Sequence, residues 1–253
     1  MKIVFTGGGT GGHFYPIIAV AESVRDLVKE RHLLEPDLYF FGPSVFDERA
    51  LYENDITFVK TPAGKARLYF SLMNYIDMVK TGWGIIGTLF KMYRLFPDIV
   101  FSKGGYGSVP TLMAARVLGI PVIIHDSDAI PGRATLMAAP YAKKIALSYD
   151  EALQYIPEKY SPKAAVIGNP VRQEVRETAK DGTEEFLDLE ANVPVLLFLG
   201  GSLGAEKVND TVFQALPDLV AKYQVIHQTG QAHVEEATQT SRVILDKNER
   251  RYR

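Results

Sequence analysis

No cysteine occurs anywhere in the 253 residues. Disulfides, thiolate nucleophiles and cysteine-ligated zinc or iron–sulfur centres are thereby excluded, and the composition suits a reducing compartment. An excess of one charge is also missing: 28 basic residues face 30 acidic ones, a net of −2, so nothing electrostatic points to nucleic acid. Long hydrophobic runs are absent as well. The longest uncharged apolar stretches, Thr81 to Phe90 and Val193 to Ala205, fall short of the roughly 20 residues a membrane-spanning helix needs. The first residues, Met1-Lys2-Ile3-Val4-Phe5-Thr6, run straight into glycine and leave no room for a secretory signal. What remains, 47% apolar and 23% charged, is an ordinary soluble composition, enough for one large or two small domains and unlike a disordered or fibrous chain.

Short β-branched and aromatic runs alternate with helix-length segments: Lys2–Thr6, Leu38–Phe41, Ile56–Lys60, Ile99–Phe101, Val122–His125, Ile145–Ser148, Ala165–Ile167, Val195–Leu199 and Gln224–His227. That alternation is the mark of a parallel α/β sheet, and runs apolar on both faces fit strands covered by helices on each side. Gly168-Asn169-Pro170-Val171-Arg172 reads as a junction, because a turn follows a strand there and the acidic, helix-prone stretch Gln173–Glu190 comes next. Two domains are expected, residues 1–168 and 169–253. The first is expected to hold six strands, a complete doubly wound domain. The second is short for such a fold and reads as unfinished, with one more strand at Ser241–Leu245.

Gly7-Gly8-Gly9-Thr10-Gly11-Gly12-His13 lies between the first strand and a helix expected from about Phe14-Tyr15-Pro16. It contains G-x-G-x-x-G, whose glycines let backbone approach a ligand and whose helix start favours an anion; a tight strand-to-helix turn is the alternative. A Walker A loop is excluded because His13-Phe14 stands where Lys-Ser/Thr is required. A dinucleotide site lacks its ribose-binding acid, since Leu38–Phe41 runs into Gly42-Pro43-Ser44. Two further glycine clusters, Gly104-Gly105-Tyr106-Gly107-Ser108 and Gly200-Gly201-Ser202-Leu203-Gly204-Ala205, also follow strands. Loops of this kind at strand ends suit a diphosphate-bearing donor and an acceptor. The start of the helix expected over Ala205–Ala221, with the Ser202 hydroxyl, is the candidate site for the donor diphosphate.

These pieces, in order, resemble the MurG family of bacterial UDP-N-acetylglucosamine transferases. They are Gly8-Gly9-Thr10-Gly11-Gly12-His13, Gly104-Gly105-Tyr106, Ile124-His125-Asp126-Ser127-Asp128-Ala129-Ile130-Pro131-Gly132, the Gly168–Arg172 junction, Gly200–Ala205 and His227-Gln228-Thr229-Gly230. The resemblance implies a GT-B fold of two Rossmann-like, doubly wound parallel-sheet domains, the second incomplete here. It implies transfer of N-acetylglucosamine from UDP-GlcNAc to the undecaprenyl-pyrophosphoryl N-acetylmuramyl-pentapeptide, lipid I, to form lipid II in peptidoglycan synthesis. Donor contacts carried across are Thr10, Gly11, Gly12, Asp128, Arg172 and Ser202; Gly104, Gly105 and Tyr106 form the acceptor diphosphate loop. The family's remaining donor segment is expected beyond Arg253. Where the family commonly has His-Glu-Gln-Asn, this chain has His125-Asp126-Ser127-Asp128, which shortens one carboxylate and adds a second.

Inverting transfer calls for a base on the acceptor hydroxyl and stabilisation of the departing diphosphate. His13 is the candidate base, with a capping or diphosphate-contacting role as its alternative, and Asp126 is the second candidate; His125 reads as a loop-holding residue. Helix N-termini and Arg172 can offset the leaving charge, and no histidine ligand set is apparent, so transfer without a metal or other cofactor is expected.

From Lys60 to Arg94 six basic residues (Lys60, Lys65, Arg67, Lys80, Lys91, Arg94) face the single acid Asp77. Leu68, Leu72, Tyr75, Ile76, Val79, Trp83, Ile86, Phe90 and Tyr93 recur there at helical spacing. Such a surface suits an anionic headgroup layer; packing on the domain's own sheet is the alternative. The resemblance favours the membrane, implying a peripheral enzyme on the cytoplasmic side of the cell membrane, with Leu72, Ile76, Lys80, Trp83 and Lys91 at the contact. Another GT-B enzyme, such as a UDP-sugar epimerase, and a non-catalytic membrane-associated binding module stay open as alternatives.

Overall fold

The computed structural model describes residues 1–64, 73–177, 182–201 and 205–240. The chain divides into two compact units, Met1–Glu177 and Thr178–Arg253. The first unit runs β1 (Lys2–Thr6), α1 (Gly11–Glu30), β2 (Asp37–Gly42), α2 (Glu48–Glu53), β3 (Ile56–Lys60), α3 (Met73–Leu95), β4 (Ile99–Ser102) and α4 (Val109–Leu118). It continues through β5 (Val122–Asp126), α5 (Arg133–Ala138), β6 (Lys144–Leu147), β7 (Ala164–Val166) and the single turn α6 (Gln173–Arg176). The second unit holds another single turn, α7 (Thr183–Phe186), then β8 (Val195–Leu199), α8 (Glu206–Leu219) and β9 (Gln224–Gln228). All nine strands expected among the described residues form, none displaced by more than one residue; the run Ser241–Leu245 lies outside them.

The first sheet is parallel with the order β3-β2-β1-β4-β5-β6-β7. It has seven strands, not six, because Ala164–Val166 pairs with β6. The chain winds outward from β1 through β2 and β3, then returns to the other side of β1 with β4, so the switch point lies between β1 and β4. In open α/β sheets that crevice is where ligands bind. Alternate residues of one strand serve opposite faces: Val4 packs with Val100, Leu112 and Ile124, whereas Ile3 and Phe5 pack with Phe14, Ile17 and Phe40. Burying each such side chain contributes roughly 1.5–3 kcal/mol.

Three local expectations differ from what forms. Helix α1 begins at Gly11, ahead of Phe14, because the Thr10 carbonyl accepts from both His13 N–H and Phe14 N–H at 3.0 Å and draws Gly11 and Gly12 into the first turn. Among the described residues of the acidic stretch Gln173–Glu190 only two single turns are helical, with Gly182 at φ +82° before α7 and Asp188 at φ +48° after it. The first unit also continues past Gly168 to Glu177, since residues after the junction pack back onto it. Gln173 N–H donates to the Glu22 carboxylate at 2.9 Å, and the Arg172 guanidinium sits 3.9 Å from the Tyr15 ring centre.

Helix α3 packs on α4, with Met92 joining Leu112 and Ala115 in the core. Its opposite face is open: Val79, Trp83, Ile86, Phe90 and Tyr93 are each 58–72% exposed. These members of the stripe therefore do not pack on the domain's own sheet. Leu68 and Leu72 lie outside the described residues, as do the side chains of Tyr75, Ile76 and Lys80. Among the described residues no helix is long and apolar enough to cross a membrane.

In the second unit β8 and β9 pair in parallel, and Leu216, Val220 and Val225 form a small core with Phe198. The alternate residues of β8, Val195, Leu197 and Leu199, are exposed.

Back in the first unit, the loops after β1 and β4 meet at the switch point. A Cβ on Gly105 would stand 2.9 Å from Gly8 Cα, and one on Gly107 would stand 2.5 Å from the Gly7 carbonyl oxygen. Gly105 also holds φ at +78°. Gly105→Ala is therefore expected to lower stability by about 2–4 kcal/mol, read from urea unfolding. Gly12→Ala, which meets nothing within 4 Å, should leave stability unchanged or slightly raised in the same measurement.

Candidate active site

The two apposed loops form one wall of a cavity of about 720 Å³ at the carboxyl ends of β1, β4 and β5. Thr10, Gly12 and His13 line it from the start of α1; Lys103, Gly105 and Tyr106 from the loop after β4; Asp126, Ser127 and Asp128 from the end of β5. Arg133 and Met137 of α5 complete that side.

His13 is fixed by its neighbour in the turn. Thr10, the residue before α1, makes no side-chain cap; its hydroxyl lies 2.9 Å from His13 Nδ1 instead. When Nδ1–H donates to that hydroxyl, Nε2 is left as a bare acceptor beside Gly105, where a Cβ would stand 3.1 Å from it. Burial first and the nearby Lys103 charge second push the imidazole below the ordinary histidine value, with Asp128 and Asp126 pulling the other way. In that tautomer the neutral imidazole accepts at Nε2; with the Thr10 hydroxyl donating to Nδ1 instead, Nε2 carries the hydrogen.

Asp126 is buried and engaged. Its Oδ1 accepts from Asp128 N–H at 3.0 Å, and its Oδ2 from Gly132 N–H at 2.9 Å and the Thr135 hydroxyl at 2.6 Å. This carboxylate folds the 126–132 loop onto α5; three donors fill both positions on Oδ2 and one on Oδ1. His125 lies fully buried on β5, its Nε2 2.9 Å from the Gly168 carbonyl oxygen, so it ties the strand end to the junction. Ser148 Oγ, 2.7 Å from Asn169 Oδ1, adds a second tie.

Thus Thr10, Gly12, His13, Gly105, Tyr106, Asp126 and Asp128 come together around one cavity. Gly11 is instead packed under Phe46, and Gly104 turns behind the wall with its N–H on Ser102 Oγ. Arg172 does not line the cavity; it lies over Tyr15 and pairs with Glu174. Ser202 lies outside the described residues. Trp83 is exposed on α3, and the Lys91 ammonium donates to the Lys60 carbonyl. Sequence reasoning passes over Lys103 and Arg133. The available signal is that Lys103 is a charged residue directly between an apolar strand and a glycine pair. Among the described residues, no group of three or more histidines and acids is placed to hold a metal ion.

A doubly wound parallel sheet with glycine loops at its switch point, followed by a second parallel α/β unit, places the chain in the GT-B fold class. The description "Glycosyltransferase family 28 N-terminal domain" matches residues 3–147, and "Glycosyltransferase family 28 C-terminal domain" matches residues 195–249. The chain belongs to glycosyltransferase family 28. A relative from Treponema denticola is 38% identical over 256 residues, covering 96% of this chain and 63% of its own. That relative is named UDP-N-acetylglucosamine--N-acetylmuramyl-(pentapeptide) pyrophosphoryl-undecaprenol N-acetylglucosamine transferase. This chain thus spans just under two thirds of the curated relatives it matches. Among solved structures, Acinetobacter baumannii MurG superposes with a TM-score of 0.63 at 24% identity, covering 94% of this chain and 64% of its own. Anabaena HepE in complex with UDP gives 0.62 at 15%, covering 98% and 67%. Both share the fold.

Asp126→Ala would strip three donors of their charged acceptor and release the loop. The expected loss is about 2–4 kcal/mol in chemical unfolding.

Proposed function

We propose that this chain takes part in inverting transfer of N-acetylglucosamine from UDP-GlcNAc to the undecaprenyl-pyrophosphoryl N-acetylmuramyl-pentapeptide, giving the lipid-linked disaccharide of peptidoglycan synthesis. The relatives' printed name supports the substrates. The observation that carries the reading is the position of His13, whose Nε2 stands at the wall of a cavity built from two packed glycine loops.

In this reading the first unit holds the acceptor in the cavity. His13 Nε2 takes the proton of the acceptor sugar hydroxyl as its oxygen attacks the anomeric carbon. The bond from that carbon to the β-phosphate oxygen breaks, UDP leaves with the electron pair, and the α-linked donor becomes a β-linked product. Asp126 holds the loop and is the second candidate for the base. The second unit binds the donor through the glycine loop after β8 and the start of α8. Helix-start amides offset the leaving charge, and the reaction requires no metal ion or other cofactor.

The reading places the enzyme peripherally on the cytoplasmic face of the cell membrane, meeting its lipid-linked acceptor through α3. The exposed row Val79, Trp83, Ile86, Phe90 and Tyr93 supports this, and the sequence from Lys60 to Arg94, six basic residues against one acid, has the charge sign that anionic headgroups attract.

Radiolabelled UDP-GlcNAc and a lipid I analogue should yield the β-linked disaccharide with EDTA present; no product from a well-folded chain would sink the proposal. His13→Ala is expected to lower kcat about 10²–10⁴-fold. Because the folded histidine titrates below its usual 6.5, kcat/KM should stay level at pH 7 and fall only on acidification below that value. Trp83, the sole tryptophan, reports the membrane contact: its emission should shift blue on anionic vesicles and much less on neutral ones. Ser at both Phe90 and Tyr93 should weaken that binding at least tenfold, and an unshifted Trp83 emission would reject the docking face.

A further inference from the structure

The cavity contains a buried cation, Lys103, for which the His13 mechanism names no ligand. Lys103 follows β4 directly, and its N–H donates to the Thr6 carbonyl at 2.8 Å, which carries the sheet pairing one residue further. The residue is only 3% exposed, yet it lines the cavity. Its ammonium donates to Ser127 Oγ, and the Ser127 hydroxyl in turn donates to the Asn169 side-chain carbonyl. The order of that relay is imposed by its ends, since a lysine only donates and an amide oxygen only accepts.

An ammonium has three donors, and one neutral hydroxyl accepts from this one. Among the described residues no carboxylate forms an ion pair with it. The buried carboxylate nearby, Asp126, is occupied by Gly132 N–H, the Thr135 hydroxyl and Asp128 N–H. Asp128 is exposed at the cavity rim, as is Arg133 at the start of α5, and His13 faces the same space from α1. Burial pushes the lysine below its ordinary range. A buried charge with so few partners is costly, and the cost is recovered when a multiply charged oxyanion enters the cavity. A volume of about 720 Å³ admits a diphosphate together with an attached sugar.

We propose that Lys103 binds the diphosphate of the lipid-linked acceptor, donating to phosphoryl oxygens from the cavity floor, while Ser127 and Asn169 hold its side chain in place between binding events. This rests on the acceptor reading of the cavity and adds a specificity-determining residue to it. It also accounts for how a loop bearing two carboxylates, Asp126 and Asp128, can face an anionic substrate.

The test is calorimetric titration of the full chain with inorganic pyrophosphate under saturating UDP, which keeps pyrophosphate out of the donor site. Lys103→Met, close in length and without charge, should weaken binding about tenfold or more, and Lys103→Arg should restore most of it. In the transfer assay Lys103→Met should raise KM for the lipid acceptor and leave that for UDP-GlcNAc unchanged. Pyrophosphate affinity indifferent to Lys103→Met, or an equal rise in both KM values, overturns the proposal and leaves Lys103 as an internal counter-ion. Should Lys103→Met fail to fold, the ¹⁵Nζ resonance of Lys103 in the unsubstituted chain decides: a shift on pyrophosphate addition supports the site, and an unmoved signal overturns it. Binding needs no turnover, so Lys103-dependent pyrophosphate affinity in a chain that transfers no sugar supports this site and counts against the proposed activity alone.

Discussion

The contact between the loop after β1 and the loop after β4 is the constraint on which the site depends. Two neighbouring parallel strands end side by side where the winding direction reverses, and both chains must turn away into helices there. Side chains at Gly105 and Gly107 would collide with the backbone of Gly7 and Gly8. With those side chains absent the two turns close on each other and become one wall, with Thr10 and His13 on one half and Lys103 and Tyr106 on the other. The glycines serve first to bring backbone against backbone, and the ligand surface is a consequence of that approach.

A second consequence concerns the acidic segment at the end of β5. Read as a linear string, His125-Asp126-Ser127-Asp128 looks like an accumulation of negative charge opposite an anionic substrate. In the fold the segment is internally balanced. Asp126 is taken up by three local donors, Asp128 extends to the rim, and Ser127 is sandwiched between the Lys103 ammonium and Asn169. The same segment reaches the residues after β7 through His125 on Gly168 and Ser127 and Ser148 on Asn169. The cavity and the junction therefore share one hydrogen-bonded network, and this keeps residues past Gly168 with the first unit.

Helix α3 shows how amphipathicity can be divided between two partners. Its inner face meets α4, where Gly84 lets the helix approach the Pro62 carbonyl and Met92 enters the core. Its outer face keeps an apolar row open, the surface on which the proposed docking rests. Helical spacing identifies such a stripe but does not say which side of it the protein itself covers.

Strand positions, the parallel class, the glycine loops and the candidacy of Thr10, His13 and Gly105 were legible in the sequence, because each depends on local periodicity or on backbone freedom. The pairing of β7 into the first sheet, the placement of Arg172 on Tyr15, the engagement of Asp126 and the burial of Lys103 were not. Each of these is decided by partners far along the chain: β6 for β7, Tyr15 for Arg172, Thr135 for Asp126, Ser127 and Asn169 for Lys103. The sequence by itself determined where the chain extends, where it turns and which turns could receive an anion. Only the tertiary structure decided which charges face that anion and which are spent inside the fold, since a charge's role depends on its burial and its donors, and neither is a local property.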